Sequence, residues 1–469
     1  MKNNSKKDRF QNYDGEVREL VLDFEEMVRM GDRRYFDITQ MEIVIDFYLD
    51  NLDNVMLEQA VVYAESLFPE AGSIRLRRSH LLCTKERYDE AYEILLELER
   101  AEPDNTDVLY ALGAIYSVKE QPRKAIQYYQ KASADGYELG MVYGNIADEY
   151  VRLDRYGDAV SYYKKALAAN PEEERSIYNL ASCYEQEMLD GQSVSYFTQF
   201  VTQNPYSKAV WFCLGCAYRD QSLYERAIDA FEYAIAIDNK FVDCYTVKAE
   251  CYRAVGNIAQ AVASLREALP HAEAPAEINY QIGLLYMDQA NYVTAVTYFK
   301  SAIGDDASLG DPWMCVAECY AKLNECQIAI DYIGQALKIN SHEPAYLFSA
   351  ANIHHHFGDE ETADAYYRQT LDMVDDNDLY WTTYADFLIG CQRYDEAIDL
   401  LQRGLPVCND AFCFNERLAV CYFVTGRRNF LFNALRSCVS ENKDLAREVL
   451  YVCPAMAEDL EVMNILNSD

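Results

Sequence analysis

Two groupings in this 469-residue chain have residue types and spacing that could do chemistry: Cys213-x-x-Cys216 and the run His354–His355–His356. Cysteines three apart on a helix put both thiols on one face, which could begin a zinc site or a redox pair. Zinc needs two further ligands nearby. Cys244 and Cys251 follow in sequence, but their spacing should turn them another way. A redox pair needs a thioredoxin-like context. Small thiols packed between helices are the simpler reading. Adjacent residues on a helix diverge by about 100°, so the three histidines should not converge on one ion. The sequence has no Gly-rich phosphate loop, no G-x-S-x-G and no H-E-x-x-H. No catalytic residue, metal site or cofactor is assigned, and the expected class is a non-enzyme.

The elements that carry these residues repeat. In Lys208–Asn239, counted from Lys208 as position 1, Trp211, Leu214, Gly215 and Tyr218 stand at 4, 7, 8 and 11, and Ala227, Phe231 and Ala234 at 20, 24 and 27. Each set shares one helical face, and Asp220–Leu223 supplies a turn between them. Small residues at 8, 20 and 27 allow close approach of two helices, with bulky residues filling the space around them. The frame recurs from 38, 72, 106, 140, 174, 208, 242, 276, 310, 344, 378 and 412, twelve units with no insertion. From the second unit on, position 8 is always Gly, Ala or Ser, and all three tryptophans, Trp211, Trp313 and Trp381, fall at position 4. Proline at 69, 103, 171 and 205 occupies position 32, where it stops the second helix.

This pattern resembles the tetratricopeptide repeat family: a large residue, then L-G, Y, A, F, A, often closing with Pro. The resemblance covers nearly the whole chain. It implies an all-α fold, a right-handed α-solenoid superhelix of antiparallel helix pairs, with the first helices lining a concave face. Positions 2, 5, 9, 12 and 13 then point inward and 6 lies near that surface. Carried over unit by unit, the peptide-binding candidates are Tyr110, Asp148, Arg152, Tyr178, Asn179, Glu185, Phe212, Cys216, Arg219, Glu250, Arg253, Tyr280, Met314, Glu318, Phe348 and Asn352. His355 and His356 should face the same groove, with His354 in the tyrosine slot. Exposed aromatics in a groove suit an extended peptide or a partner's helix; the alternative is that they pack on neighbouring first helices. The best-defined subtype of the family grips a C-terminal carboxylate with Lys at 5 and Asn at 9. No unit here has Lys at 5, and Asn352 is the one Asn at 9, so an internal peptide, basic or of mixed charge, is expected instead.

The net charge is −35. That argues against nucleic acid, whose phosphates need a basic face. It favours a basic partner or is simply a solvated acidic surface. Residues 1–37 carry eight Lys/Arg and nine Asp/Glu, so nearly all the charge lies beyond them. Residues 1–12 read as a disordered basic tail, 13–37 as an N-terminal capping helix with Tyr35–Phe36 beneath it, 38–445 as twelve repeats forming one domain, and 446–469 as C-terminal capping helices. The expected caps include Asp444–Tyr451 and Pro454–Asn467, the latter with an apolar stripe of Leu460, Met463 and Leu466. Fifteen cysteines without a secretory signal suggest a reducing, cytoplasmic setting. No run approaches a membrane span.

The leading functional reading is a protein-binding scaffold acting through the concave face. The alternative is a structural subunit of a larger assembly, held by its convex face or its ends. Oligomeric state is left open.

Overall fold

Twelve second helices begin 34 residues apart without a slip, at Asn54, Tyr88, Pro122, Tyr156, Asp190, Tyr224, Ile258, Tyr292, Cys326, Glu360, Tyr394 and Arg428. The computed structural model describes residues 9–10, 13–136, 138–374, 376–407 and 409–467. Among them there is no strand, and the fold is an all-α repeat solenoid. Each second helix follows a first helix of the same unit, as Tyr224–Ile237 follows Lys208–Asp220.

The turn between the two helices is the same device every time. The residue at position 15 is left-handed in all twelve units. Gly256, Gly358 and Gly426 have φ of 78°, 81° and 70°, while nine residues with side chains, among them Glu86, Ser222 and Asn324, lie between 52° and 60°. The next residue's N–H donates back to the carbonyl of position 11 at 2.8–3.1 Å, from Asp53→Tyr48 to Arg427→Tyr422. This six-to-one bond closes the open carbonyls of the first helix. It holds the left-handed backbone against a cost of roughly 1 kcal/mol for a residue with a β-carbon.

The seam within each hairpin follows the small–large pattern. A Cβ built on Gly113, Gly215 or Gly283 would lie 2.7, 2.5 or 2.5 Å from the ring of Tyr129, Phe231 or Phe299. Position 8 therefore faces position 24 so closely that an aromatic ring lies on helix backbone.

Neighbouring units are also joined on the side of the second helices. Lys164 sits 5.3 and 5.2 Å from the rings of Tyr184 and Tyr196. Lys300 sits 5.1 and 5.4 Å from Tyr320 and Tyr332, and Arg266 donates to the hydroxyls of Tyr286 and Tyr298. Each cation stands at position 25 and reaches positions 11 and 23 of the next unit. Such cation–ring contacts contribute about 0.5–1 kcal/mol each at exposed sites.

The chain forms two compact units, Met1–Asn239 and Lys240–Asp469. The first opens with Gly15–Met30, capped by Asp14 and ended by left-handed Gly31. It buries Val21, Phe24 and Met27, and Phe24 meets the rings of Phe36, Tyr48 and Tyr63 at 6.0–6.2 Å. Phe36 is buried, whereas Tyr35 is 77% exposed, so only one of the two expected aromatics packs beneath this helix. Residues 1–8 and 11–12, most of the segment read as a tail, lie outside the described residues. Arg9 and Phe10 are described: Arg9 pairs with Glu25 at 2.7 Å, and Phe10 stacks on Phe47 at 5.0 Å.

The second unit closes with short pieces, Lys443–Ala446, Val449–Val452, Pro454–Glu458 and Leu460–Asn467, rather than two continuous helices. Asp459 accepts from the N–H groups of Glu461 and Val462, and that cap sets the phase of the last helix. Val462 and Leu466 turn inward, while Leu460 is 81% exposed, so the apolar stripe differs from the expected one.

Candidate functional site

The first helices communicate through one recurring pair: position 9 of a unit and position 6 of the next, 31 residues on. Arg77 Nε donates to Asp46 at 2.8 Å, and its Nη2 bonds the second carboxylate oxygen. Arg417 repeats the fork on Asp386, at 2.7 and 2.8 Å. Asn179 donates to Asp148 at 3.1 Å, and Ser349 Oγ to Glu318 Oε1 at 2.9 Å. Two of these carboxylates are thus neutralised by a bidentate guanidinium, the strongest geometry for such a pair. Asp148 is also saturated: the Tyr163 hydroxyl and the Arg175 guanidinium bond it as well. Glu318 has one uncharged donor, Ser349.

Several candidates are fastened inside the scaffold. Tyr110 accepts from Asn145 at 2.8 Å and leans on Tyr129. Asp148 and Asn179 belong to the network above. Arg152 donates to the Ser117 carbonyl at 2.8 Å and lies 3.6 Å from Glu149. Glu149 is a carboxylate the sequence reading passed over: it is 2% exposed, one oxygen accepts from Ser117 at 2.5 Å, and the other has no hydrogen-bond partner. Arg253 pairs with Asp288 at 3.0 Å, and Glu250 is exposed. Tyr280 is half-buried against Phe299, and burial pushes its hydroxyl well up. Met314 is half-buried among apolar neighbours. Phe348 packs on Tyr380 at 4.6 Å with the rings tilted by 41°, and Asn352 accepts from the Tyr367 hydroxyl at 2.7 Å.

Others converge. In the first unit Tyr178, Glu185, Phe212, Cys216 and Arg219 line one cavity of about 200 Å³ between the helices Glu174–Gln186 and Lys208–Asp220. Tyr178 and Phe212 meet edge-on at 6.2 Å. Cys213 lies at the back of that cavity, 2% exposed, and burial holds its thiol far above the ordinary value. In the second unit Glu318, Lys322, Ser349, Asn352, His355 and His356 line a cavity of about 720 Å³ between Gly310–Lys322 and Pro344–His356. Burial lifts the Glu318 carboxyl above its ordinary range, opposed by the Ser349 hydrogen bond and the Lys322 charge.

The histidines part as helix geometry requires. His354 bonds Asp359 at 3.0 Å, His355 meets the Phe387 ring edge-on, and His356 bonds Asn324 at 3.1 Å. Among the described residues no three His, Cys, Asp or Glu side chains come together closely enough to hold a metal ion.

Residues 106–133, 142–173 and 276–304 match the family model for the tetratricopeptide repeat. They fall in the frame that runs through all twelve units. The chain carries tetratricopeptide repeats. No curated protein matches this repeat protein's sequence. Among the solved structures similar to it are the following three. The Cut9–Hcn1 hetero-tetramer of the APC/C shares 14% identity over 87% of this chain and 93% of that one, with a TM-score of 0.39. MamA shares 25% over 36% and 93%, TM-score 0.32. The C-terminal part of a tetratricopeptide repeat-containing protein from Cytophaga hutchinsonii shares 15% over 58% and 97%, TM-score 0.39. In the tetratricopeptide array described here, the residues that sequence reasoning missed are the position-6 partners, Arg77, Ser349 and Arg417. The signal was present as a donor 31 residues after each position-9 acid.

Proposed function

We propose that this chain is a non-catalytic scaffold that binds an extended protein segment along its first helices, the concave face of the repeat family. The observation that carries the reading is the pair of cavities between successive first helices. One presents the rings of Tyr178 and Phe212, and the other presents Glu318 with its polar neighbours. Aromatic surface supplies contact area at low entropic cost, and carboxylates select charge. The net charge of −35 favours a basic or mixed-charge segment over an acidic one or a nucleic acid. We further propose that residues 38–445 act as one array between caps at 13–37 and 446–469; the unbroken spacing of second helices from Asn54 to Arg428 supports it. A cytoplasmic setting is in keeping with the absence of disulfides among the described cysteines. Among the described residues no helix is long and apolar enough to cross a membrane.

A second reading has its own observation. At the C-terminal end Tyr451, Val452 and Leu460 are 87%, 62% and 81% exposed, an apolar edge that suits assembly through an end of the array. The two readings part on one titration. Arg/Lys-rich and acidic peptides are added to the full chain at low and high salt, with and without Tyr178→Ala/Phe212→Ala. Groove binding predicts a preference for the basic peptide that falls with salt and weakens in the double variant. Equal or tighter binding of the acidic peptide contradicts it.

A further inference from the structure

We propose that the cavity at Glu318 receives an arginine side chain of the bound segment, in the place that the chain's own arginines take at the equivalent position of other repeats. This rests on the groove reading above and narrows it to one subsite and one side-chain chemistry.

Position 9 carries a carboxylate at Asp46, Asp148, Glu250, Glu318 and Asp386. At Asp46 and Asp386 the following unit supplies an arginine from position 6, Arg77 or Arg417, and the guanidinium forks onto both oxygens. At Glu318 position 6 is Ser349, whose hydroxyl reaches one oxygen. The fold places a guanidinium against a carboxylate at this register without strain, since it does so twice. Where the arginine is a serine, the same space is a cavity of about 720 Å³, within the range that holds a side chain or small ligand. Glutamate is also one methylene longer than aspartate, so its carboxylate extends further toward the opening.

The other groups around the cavity set the terms. Lys322 stands on the same helix as Glu318 one turn on, and its charge acts on that carboxylate. His355 and His356 line the opposite helix, with His356 held by Asn324, and Asn352 completes the wall. A guanidinium suits this set better than an ammonium. It is planar and weakly hydrated, it stacks on flat rings such as imidazole, and its fork matches a carboxylate that offers an unshared oxygen. Acidification removes charge from Glu318, whose carboxyl pKa burial already raises, and so disfavours a cationic guest.

The test uses the full chain and a short peptide alternating arginine with alanine. Its controls are the same peptide with citrulline for arginine, and free N-acetylarginine amide. The proposal predicts that the arginine peptide binds more tightly than the citrulline peptide. Glu318→Gln should reduce its affinity about tenfold, the scale of one hydrogen bond to a charged group. Ser349→Arg should abolish that binding while keeping the thermal midpoint at or above the parent's, because the new side chain re-creates the Arg417–Asp386 fork internally. Equal binding of arginine and citrulline peptides that both variants leave unchanged overturns the subsite and leaves the groove reading standing. Failure of both peptides to bind overturns the subsite and the groove reading together. N-acetylarginine amide that binds as tightly as the peptide contradicts a polypeptide guest and assigns the cavity to a free guanidino compound.

Discussion

Asp386 and Glu318 occupy the same position of two repeats in one unit, yet the next repeat meets them with different side chains. Asp386 is met by Arg417 through two hydrogen bonds. Glu318 is met by Ser349 through one. In the first case a charge is absorbed into the scaffold, and in the second it is left facing a cavity. The same division runs through the first unit. Asp148 is enclosed by Tyr163, Arg175 and Asn179, whereas Tyr178 and Phe212 line an opening. A position that faces the groove in the repeat frame is therefore available to a partner only where the following repeat leaves it unfilled.

The largest effect separating closed from open positions should come at the seam. Gly215→Leu drives a side chain into the Phe231 ring, where even a Cβ would sit 2.5 Å away, and should cost about 3 kcal/mol. Thermal denaturation of that variant beside Phe212→Ala, one turn away on the cavity wall, should show the glycine substitution as the more damaging. Next comes the charge comparison itself. Arg417→Ala strips Asp386 of its fork and should cost about 2 kcal/mol, read as faster hydrogen exchange in Asp378–Gly390 and Ala411–Val424. Glu318→Gln should not destabilise at neutral pH. Burial raises the folded-state pKa of Glu318 above the ordinary 4.5, so its contribution is fully present below the unfolded value and is lost as pH rises through the folded one. The Gln variant should thus exceed the parent in thermal midpoint at pH 8, by a margin that shrinks toward pH 4; a margin that grows on acidification would reverse the assignment.

Smaller still are the turns. Gly358 at φ 81° and Asn324 at φ 60° perform the same task. Gly358→Ala should lose about 1 kcal/mol, while Asn324→Gly should lose less than about 1 kcal/mol, since relief of the left-handed conformation partly offsets the added freedom of the unfolded chain and the lost bond to His356. Paired melting curves measure both.

The scaffold was legible because it repeats. The register of Gly215 against Phe231 could be read from spacing alone, and the second helices begin where the frame requires. The turn was only partly legible: Gly256, Gly358 and Gly426 announce a left-handed residue, but Glu86, Ser222 and Gln392 adopt it too, because the six-to-one hydrogen bond imposes it whatever the side chain. The site was less legible. Asp148, Arg152 and Asn179 were read as groove residues from position, but their hydrogen bonds depend on side chains contributed by a different repeat. Asp148 is held by Arg175 and Asn179, 27 and 31 residues away. Arg152 reaches back 35 residues to Ser117. A frame that counts within one unit misses pairs made between two. The C-terminal cap misled for a local reason: Asp459 caps the final helix and rotates Leu460 outward.

We propose that the first helices receive an extended basic segment. Hydrogen–deuterium exchange of the full chain, with and without the arginine–alanine peptide, tests it most directly. The predicted result is slowed exchange in Glu174–Gln186, Lys208–Asp220, Gly310–Lys322 and Pro344–His356, with the second helices unchanged. Protection confined to the second helices, or to the C-terminal end around Tyr451 and Leu460, would contradict it.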